Sequence, residues 1–260
     1  MAECIHGFED GFCDICFPRQ RPEPVAVAAK TTTRAAPRVA TVQTRRLTTA
    51  PTTPVLPRVP PFSTRRLYHV THVRNFEAIL LDRAIKSPNA GAEPDVDVSA
   101  PVVRELRAAA HVEDERTVAD HVPFYLSPDA ERWVELRDGA AGAHWSTAAR
   151  LSSPTEYVML VAGTTGIGPD VAVADTDASA PASRITVGDP ARTVARLTRE
   201  DPALSTVELL VPEQVPLDSL VLIGVPNEPM RTKVRAMIDA AEWDGPRIVV
   251  HPPWFTPTGG

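Results

Sequence analysis

Glu208 is set apart by its surroundings. It lies in TVELLVP, residues 206–212, among side chains that read as a buried β-strand. An unpaired carboxylate in such a strand costs several kcal/mol, so Glu208 needs a reason to be there and is a candidate functional residue. A second candidate is Arg104 in SAPVVRELRAAA, with Arg107 one turn later on the same helix face. The alternative for either is a solvated helix charge. A third group crowds the end of the first strand: Tyr68, His69, Thr71, His72 and Asn75. His69 reads either as a hydrogen-bonded structural histidine or as a ligand-binding one. At the N-terminus Cys4, His6, Cys13 and Cys16 form a C-x-H-x6-C-x2-C pattern, which supplies the four soft donors of a tetrahedral zinc knuckle. Gly7 and Gly11 allow the tight turn that such a loop needs. The alternative is a leader carrying reduced thiols. A thioredoxin-type C-x-x-C is disfavoured, because no strand and helix flank it.

Several common chemistries are excluded by their missing signatures. GTTGIGPD, Gly163–Asp170, has neither the dinucleotide glycine order nor the Lys-Ser/Thr pair of a phosphate loop, and it reads as a plain loop. There is no G-x-S-x-G elbow and no H-E-x-x-H helix.

The elements that must position these residues start at Leu67. LYHVTH reads as a strand, and VRNFEAILLDRAI carries apolar residues at helical spacing. Ser99 is placed to cap a helix with Pro101 early in it. HVPFYLS predicts a strand and PDAERWVELRDG a helix. EYVMLVAG, VAVAD, SRITV, TVELLVP and LVLIGV predict strands, EPMRTKVRAMIDAAEW a helix, and RIVVHP a closing strand. This mixture predicts an α+β domain over residues 67–260.

The 260 residues are 43% hydrophobic, 23% charged and 5% aromatic, which suits one main globular domain with a tail and excludes collagen and coiled coil. The longest apolar runs, near Tyr157–Ala162 and Leu220–Val225, fall far short of the roughly 20 residues that cross a bilayer. The acidic start lacks the basic region of a secretory signal, so the expectation is a cytoplasmic protein that does not meet a membrane. The net charge of −6 conceals three blocks: −4 over residues 1–18, +9 over 19–66 and −11 over 67–260. The middle block is Pro, Thr, Ala and Arg, cannot bury a core, and predicts an extended, disordered linker suited to a polyanion or serving only as a spacer.

From Leu67 to Phe255 the chain resembles the DarT family of DNA ADP-ribosyltransferase toxins. LYHVTHVRNFEAIL is similar to the family's opening segment, HVPFYLSP to its central strand, VELLVPEQVP to the stretch with its catalytic glutamate, and RIVVHPPWF to its closing strand. The resemblance implies an ADP-ribosyltransferase-like split mixed sheet with helices and an NAD cleft between the halves. It implies transfer of ADP-ribose to a base of single-stranded DNA, with thymidine favoured, in a toxin-antitoxin or phage-defence system with a macrodomain antitoxin as partner. By position, Glu208 becomes the catalytic glutamate and Arg104 the catalytic arginine, with Arg107 the neighbouring alternative; His69, Thr71 and Asn75 join the NAD pocket. Such a carboxylate favours the oxocarbenium-like ribose left by nicotinamide. Tyr125, in VPFYL, stacks on nicotinamide or serves as a core tyrosine. The Cys/His leader, with its zinc expectation, and the basic linker depart from the minimal family pattern. Two rival readings are a nucleic-acid-binding module without catalysis and a transferase acting on guanine, RNA or protein.

Overall fold

Strands form in this chain where apolar residues alternate or run unbroken, and helices where they recur every three or four positions. The computed structural model describes residues 60–113 and 115–259, within the unit Arg58–Gly260. The strands in chain order are β1 (Arg66–His72), β2 (Ala84–Lys86), β3 (His111–Glu113), β4 (Arg116–Thr117), β5 (His121–Tyr125), β6 (Tyr157–Gly163), β7 (Ala172–Ala174), β8 (Ile185–Val187), β9 (Glu208–Pro212), β10 (Gln214–Pro216), β11 (Leu220–Val225) and β12 (Ile248–Val250). The helices are α1 (Phe76–Asp82), α2 (Pro101–Ala109), α3 (Glu131–Arg137), α4 (Thr147–Leu151), α5 (Pro190–Glu200) and α6 (Glu228–Ala240).

Eight strands make one mixed sheet in the order β12-β11-β6-β1-β5-β9-β7-β8, antiparallel throughout except for the β11–β12 pair. The pairing is uneven. β1 matches β6 from Arg66↔Gly163 to His72↔Tyr157, whereas β1 meets β5 only at Tyr68↔Tyr125. The sheet is therefore split into two halves whose ladder is joined at one residue pair. Opposed residues share a face, so Val161, Tyr68, Tyr125, Glu208 and Ala174 line up in a row across that join.

Both faces are covered. One carries Leu67, Phe124, Leu160 and Leu209 against α1, α5 and α6, through Phe76, Leu197 and Val234 among others. The opposite face carries Tyr157, Met159 and Leu222 under Trp133 of α3, Trp145 and Trp254. Trp254 lies on Gly224 of β11, where a Cβ would fall 2.6 Å from the indole ring, so only glycine admits this packing.

The α+β class and the eight strands of the main sheet agree with the sequence reading; the short strands β3, β4 and β10 and the helix α4 were not expected, and four further features differ. Phe62 packs against the core, and Arg65 donates to the Thr198 hydroxyl at 3.0 Å, so ordered packing begins before Leu67. α1 stops at Asp82 because Arg83 turns left-handed (φ 55°), which frees Ala84–Lys86 to pair with β10. Ser99 does not cap α2; Ala100 holds that position without a side-chain bond, and Ser99 bridges to Trp145. α5, which PARTVARLTRE did not announce among its arginines and threonines, is capped by the Asp189 carboxylate accepting from the Arg192 N–H. Cys4, His6, Cys13 and Cys16 lie outside the described residues, as does most of the basic segment. Among the described residues no helix is long and apolar enough to cross a membrane.

Candidate active site

α2 starts at Pro101, whose fixed φ suits a first helical position, and turns Val103 into the protein. Arg107 follows Val103 by one turn and so points the same way. Its guanidinium meets Glu208 in a fork, with Nη2 donating to Oε1 at 2.8 Å and Nη1 to Oε2 at 3.4 Å. The two side chains are 14% and 3% exposed. Burial pulls the Arg107 pKa down, but the charge and hydrogen bonds of Glu208 outweigh it and hold the guanidinium above its usual value. The Ala178 N–H adds a third bond, to Oε2 at 2.9 Å. Glu208 is therefore the buried acid that the strand pattern predicts, and its desolvation is answered by one cation and one main-chain donor.

Three further groups surround this pair. Tyr125 faces Glu208 across the β5–β9 register. Burial, then the Glu208 charge, pushes its phenol far above the usual tyrosine value, so it stays a neutral ring beside the carboxylate. Arg132, on α3, stacks over Trp145 with its Cζ 4.7 Å from the ring centre and pairs with Asp177 at 3.5 Å. Burial raises the Asp177 pKa, but hydrogen bonds from Ser179 and the charges of Arg132 and Arg107 leave it below the usual carboxylate value. Arg132, Asp177, Thr176 and Thr206 line a cavity of about 580 Å³.

The remaining predicted residues are placed separately. His69 reaches across the split, its Nδ1 donating to the Pro123 carbonyl at 2.9 Å, while its ring touches Phe124. Burial lowers its pKa against that bond, so the ring is neutral and Nε2 is left as an acceptor. Asn75 binds the Val96 main chain twice, through Nδ2 to the carbonyl at 2.9 Å and through Oδ1 from the N–H at 2.8 Å, and stands 3.5 Å from the Thr71 hydroxyl. Arg104 is not at Glu208. It pairs with Asp97 at 2.6 Å and Glu93 at 3.7 Å, with its side chain 49% exposed. The resemblance gives Arg104 as the catalytic arginine with Arg107 as its alternative, and it is Arg107 that adjoins Glu208, because the inward anchor Val103 sets the rotation of α2. The signal was present in the spacing of Val103 and Arg107. Nothing in the sequence marked Arg132, Asp177 or the Ala178 amide.

A model of the family described as DarT, ssDNA thymidine ADP-ribosyltransferase, matches residues 68–256. The chain is similar to the structure of Thermus sp. 2.9 DarT in complex with ADP-ribosylated ssDNA, with a TM-score of 0.63 at 18% identity over 76% of this chain and 99% of that one. The same Thermus protein in complex with NAD+ gives a TM-score of 0.60 at 20% identity, with 76% and 99% covered. Thermosipho africanus DarTG in complex with ADP-ribose gives 0.57 at 16% identity, covering 74% of this chain and 51% of that one. At these identities the likeness is one of fold. No curated protein matches the chain.

Proposed function

The chain belongs to the DarT family, the ssDNA thymidine ADP-ribosyltransferases, and from that membership we propose that it moves ADP-ribose from NAD+ to a thymine of single-stranded DNA through Glu208 and Arg107. The observation that carries this reading is the buried Arg107–Glu208 fork beside the single β1–β5 join. When the bond from ribose C1′ to nicotinamide breaks, the bonding electrons leave with nicotinamide and positive charge spreads over C1′ and the ring oxygen. A fixed carboxylate that accepts a ribose hydroxyl stabilises that cation more than it stabilises NAD+ itself. A ring nitrogen of the base then bonds to C1′ and gives up its proton to water. Arg107 holds the carboxylate in place through its fork, and Tyr125 offers a ring for nicotinamide. His69 Nε2 is free to accept from the other ribose of NAD+. Thr71 and Asn75 shape the wall of that pocket, Asn75 through its two bonds to Val96.

The +9 segment, most of which lies outside the described residues, supplies the attraction for phosphates that a −11 unit lacks. Deleting it should flatten the salt dependence of single-strand binding. One zinc ion on Cys4, His6, Cys13 and Cys16 completes the reading, and elemental analysis of untagged protein tests it. Thermosipho DarTG, with its bound ADP-ribose, supports a toxin whose partner antitoxin is a macrodomain that recognises the modification.

The deciding experiment incubates the protein with NAD+ and short oligonucleotides of each base, in DNA and in RNA, and weighs the products by mass spectrometry. The expected result is ADP-ribose on thymine-containing DNA alone. Modification confined to RNA, to another base or to protein overturns the reading.

A further inference from the structure

The turn after β7 holds the main-chain donor that touches Glu208 beside its arginine. Asp177 Oδ1 accepts from the Ser179 N–H at 2.9 Å and from the Ser179 hydroxyl at 2.6 Å, and the Ala180 N–H closes on the Asp177 carbonyl at 2.9 Å. The other carboxylate oxygen of Asp177 faces Arg132 at 3.5 Å. The buried residue inside this turn is Ala178, whose N–H ends on Glu208 Oε2 at 2.9 Å.

Count the acceptor sites on Glu208. Each carboxylate oxygen takes about two good hydrogen bonds. Oε2 already receives the Ala178 N–H and one arm of Arg107, whereas Oε1 receives only the other arm. On the reading given above, a ribose hydroxyl must therefore arrive at Oε1. If the amide of Ala178 moved away, the carboxylate would keep its charge and its arginine but lose the contact that distinguishes its two oxygens.

We infer that Asp177 is a positioning residue for the transfer: by fixing the turn through Ser179 it aims the Ala178 N–H at Glu208 and reserves Oε1 for the substrate. It acts through another residue and touches neither substrate nor reacting atoms in this role. An error of about 1 Å in such a group is enough to cost on the order of a hundredfold in rate, so the effect belongs to kcat and not to NAD+ binding.

The inference rests on the proposed transferase activity, and the test keeps the two apart. Wild type, Asp177→Ala, Asp177→Asn and Ser179→Ala are assayed in the full chain for kcat and for KM toward NAD+, with a saturating thymine oligonucleotide and with thermal midpoints as a folding control. Wild type without activity overturns the proposed function itself. With active wild type, Asp177→Ala should lower kcat at least about tenfold and leave KM within about twofold. Asp177→Asn, whose amide oxygen still accepts both Ser179 donors, should regain most of kcat, and Ser179→Ala should fall between. Equal losses in Asp177→Ala and Asp177→Asn would assign the effect to lost charge against Arg132 and overturn the inference. So would unchanged kcat, or a change confined to KM. If Asp177→Ala does not fold, the remaining two variants decide: Ser179→Ala must lower kcat, and Asp177→Asn must stay near wild type.

Discussion

Two arginines three residues apart on α2 meet two different solvents. On the inner side Arg107 and Glu208 form a forked pair with hardly any exposed surface, and on the outer side Arg104 reaches Asp97 with 49% and 27% of the side chains exposed. The outer contact is the shorter, 2.6 Å against 2.8 Å, yet length is the weaker criterion. An exposed pair is screened by water and contributes roughly 0–1 kcal/mol, whereas removing one member of a buried pair costs about 3–5 kcal/mol because the other is stranded. The same low dielectric that makes the inner pair expensive to break makes it effective against charge that develops in a reaction. Burial, not proximity in sequence, separates these two arginines.

The strongest way to break this contrast is Glu208→Gln. The amide keeps an acceptor for the Ala178 N–H and the shape of the side chain but removes the negative charge. Transfer should fall about a thousandfold or more, since stabilisation of a transition-state charge is lost. The thermal midpoint should drop only modestly, and activity near wild type would end the catalytic assignment. Glu208→Ala is the poorer test, because it leaves Arg107 buried without a partner and confuses instability with lost chemistry. Next in size, Arg107→Ala should lower transfer about a hundredfold and destabilise by about 3–5 kcal/mol, as expected for a broken buried pair. Urea unfolding and single-turnover assays read the two effects separately.

How far this contrast was legible in the sequence depended on the kind of order involved. Glu208 could be found because a charge in TVELLVP violates a strand pattern, and Tyr125 shares its face because it alternates with Phe124. The split was not legible: β1 and β5 both read as ordinary strands, and their single shared pair is a matter of how two halves diverge. The choice between Arg104 and Arg107 turned on the rotation of one nine-residue helix, which Val103 decides once it is buried. Asp177 and Ala178 escaped because a turn that aims a main-chain N–H leaves no distinctive side chain behind. His69 was assigned to the NAD pocket by the family resemblance, and its bond to the Pro123 carbonyl, a contact over 54 residues, left no mark in the sequence.

pH sharpens the comparison by a smaller amount. Two charged groups at the site resist titration near neutrality, with Arg107 held above and Asp177 below their usual values. The buried histidines do not. Burial lowers His69 against its Pro123 bond, lowers His72 against the Glu156 charge, and lowers His121 against its Thr117 bond. A histidine with a depressed folded pKa binds fewer protons folded than unfolded, so stability is full above the unfolded value of about 6.5 and is lost as pH falls below it. Thermal midpoints should be level above neutrality and decline through mildly acid pH, before the carboxylates titrate. His69→Gln should make the decline shallower, and a midpoint that rises on acidification would contradict the assignment of these rings as neutral.

The smallest effect expected is that of Arg104→Ala, and it is the one that tests whether the outer region is dispensable. Asp97 does not depend on Arg104 for its place: its Oδ1 accepts from the Ser99 N–H at 2.8 Å and its carbonyl from the Ser146 hydroxyl at 2.7 Å. The loop before α2 therefore survives the loss of the guanidinium, and α2 itself is anchored by Val103 and Arg107. Stability should change by less than about 1 kcal/mol, the range of exposed ion pairs, and transfer by no more than about threefold. Raising the salt concentration should shrink even that difference, because exposed charges are screened and the Arg107 pair is not. A loss in Arg104→Ala that equals the loss in Arg107→Ala would reverse the comparison. It would make Arg104 a residue that substrate engages directly, through a swing of the side chain away from Asp97, and would leave Arg107 with the narrower task of neutralising Glu208.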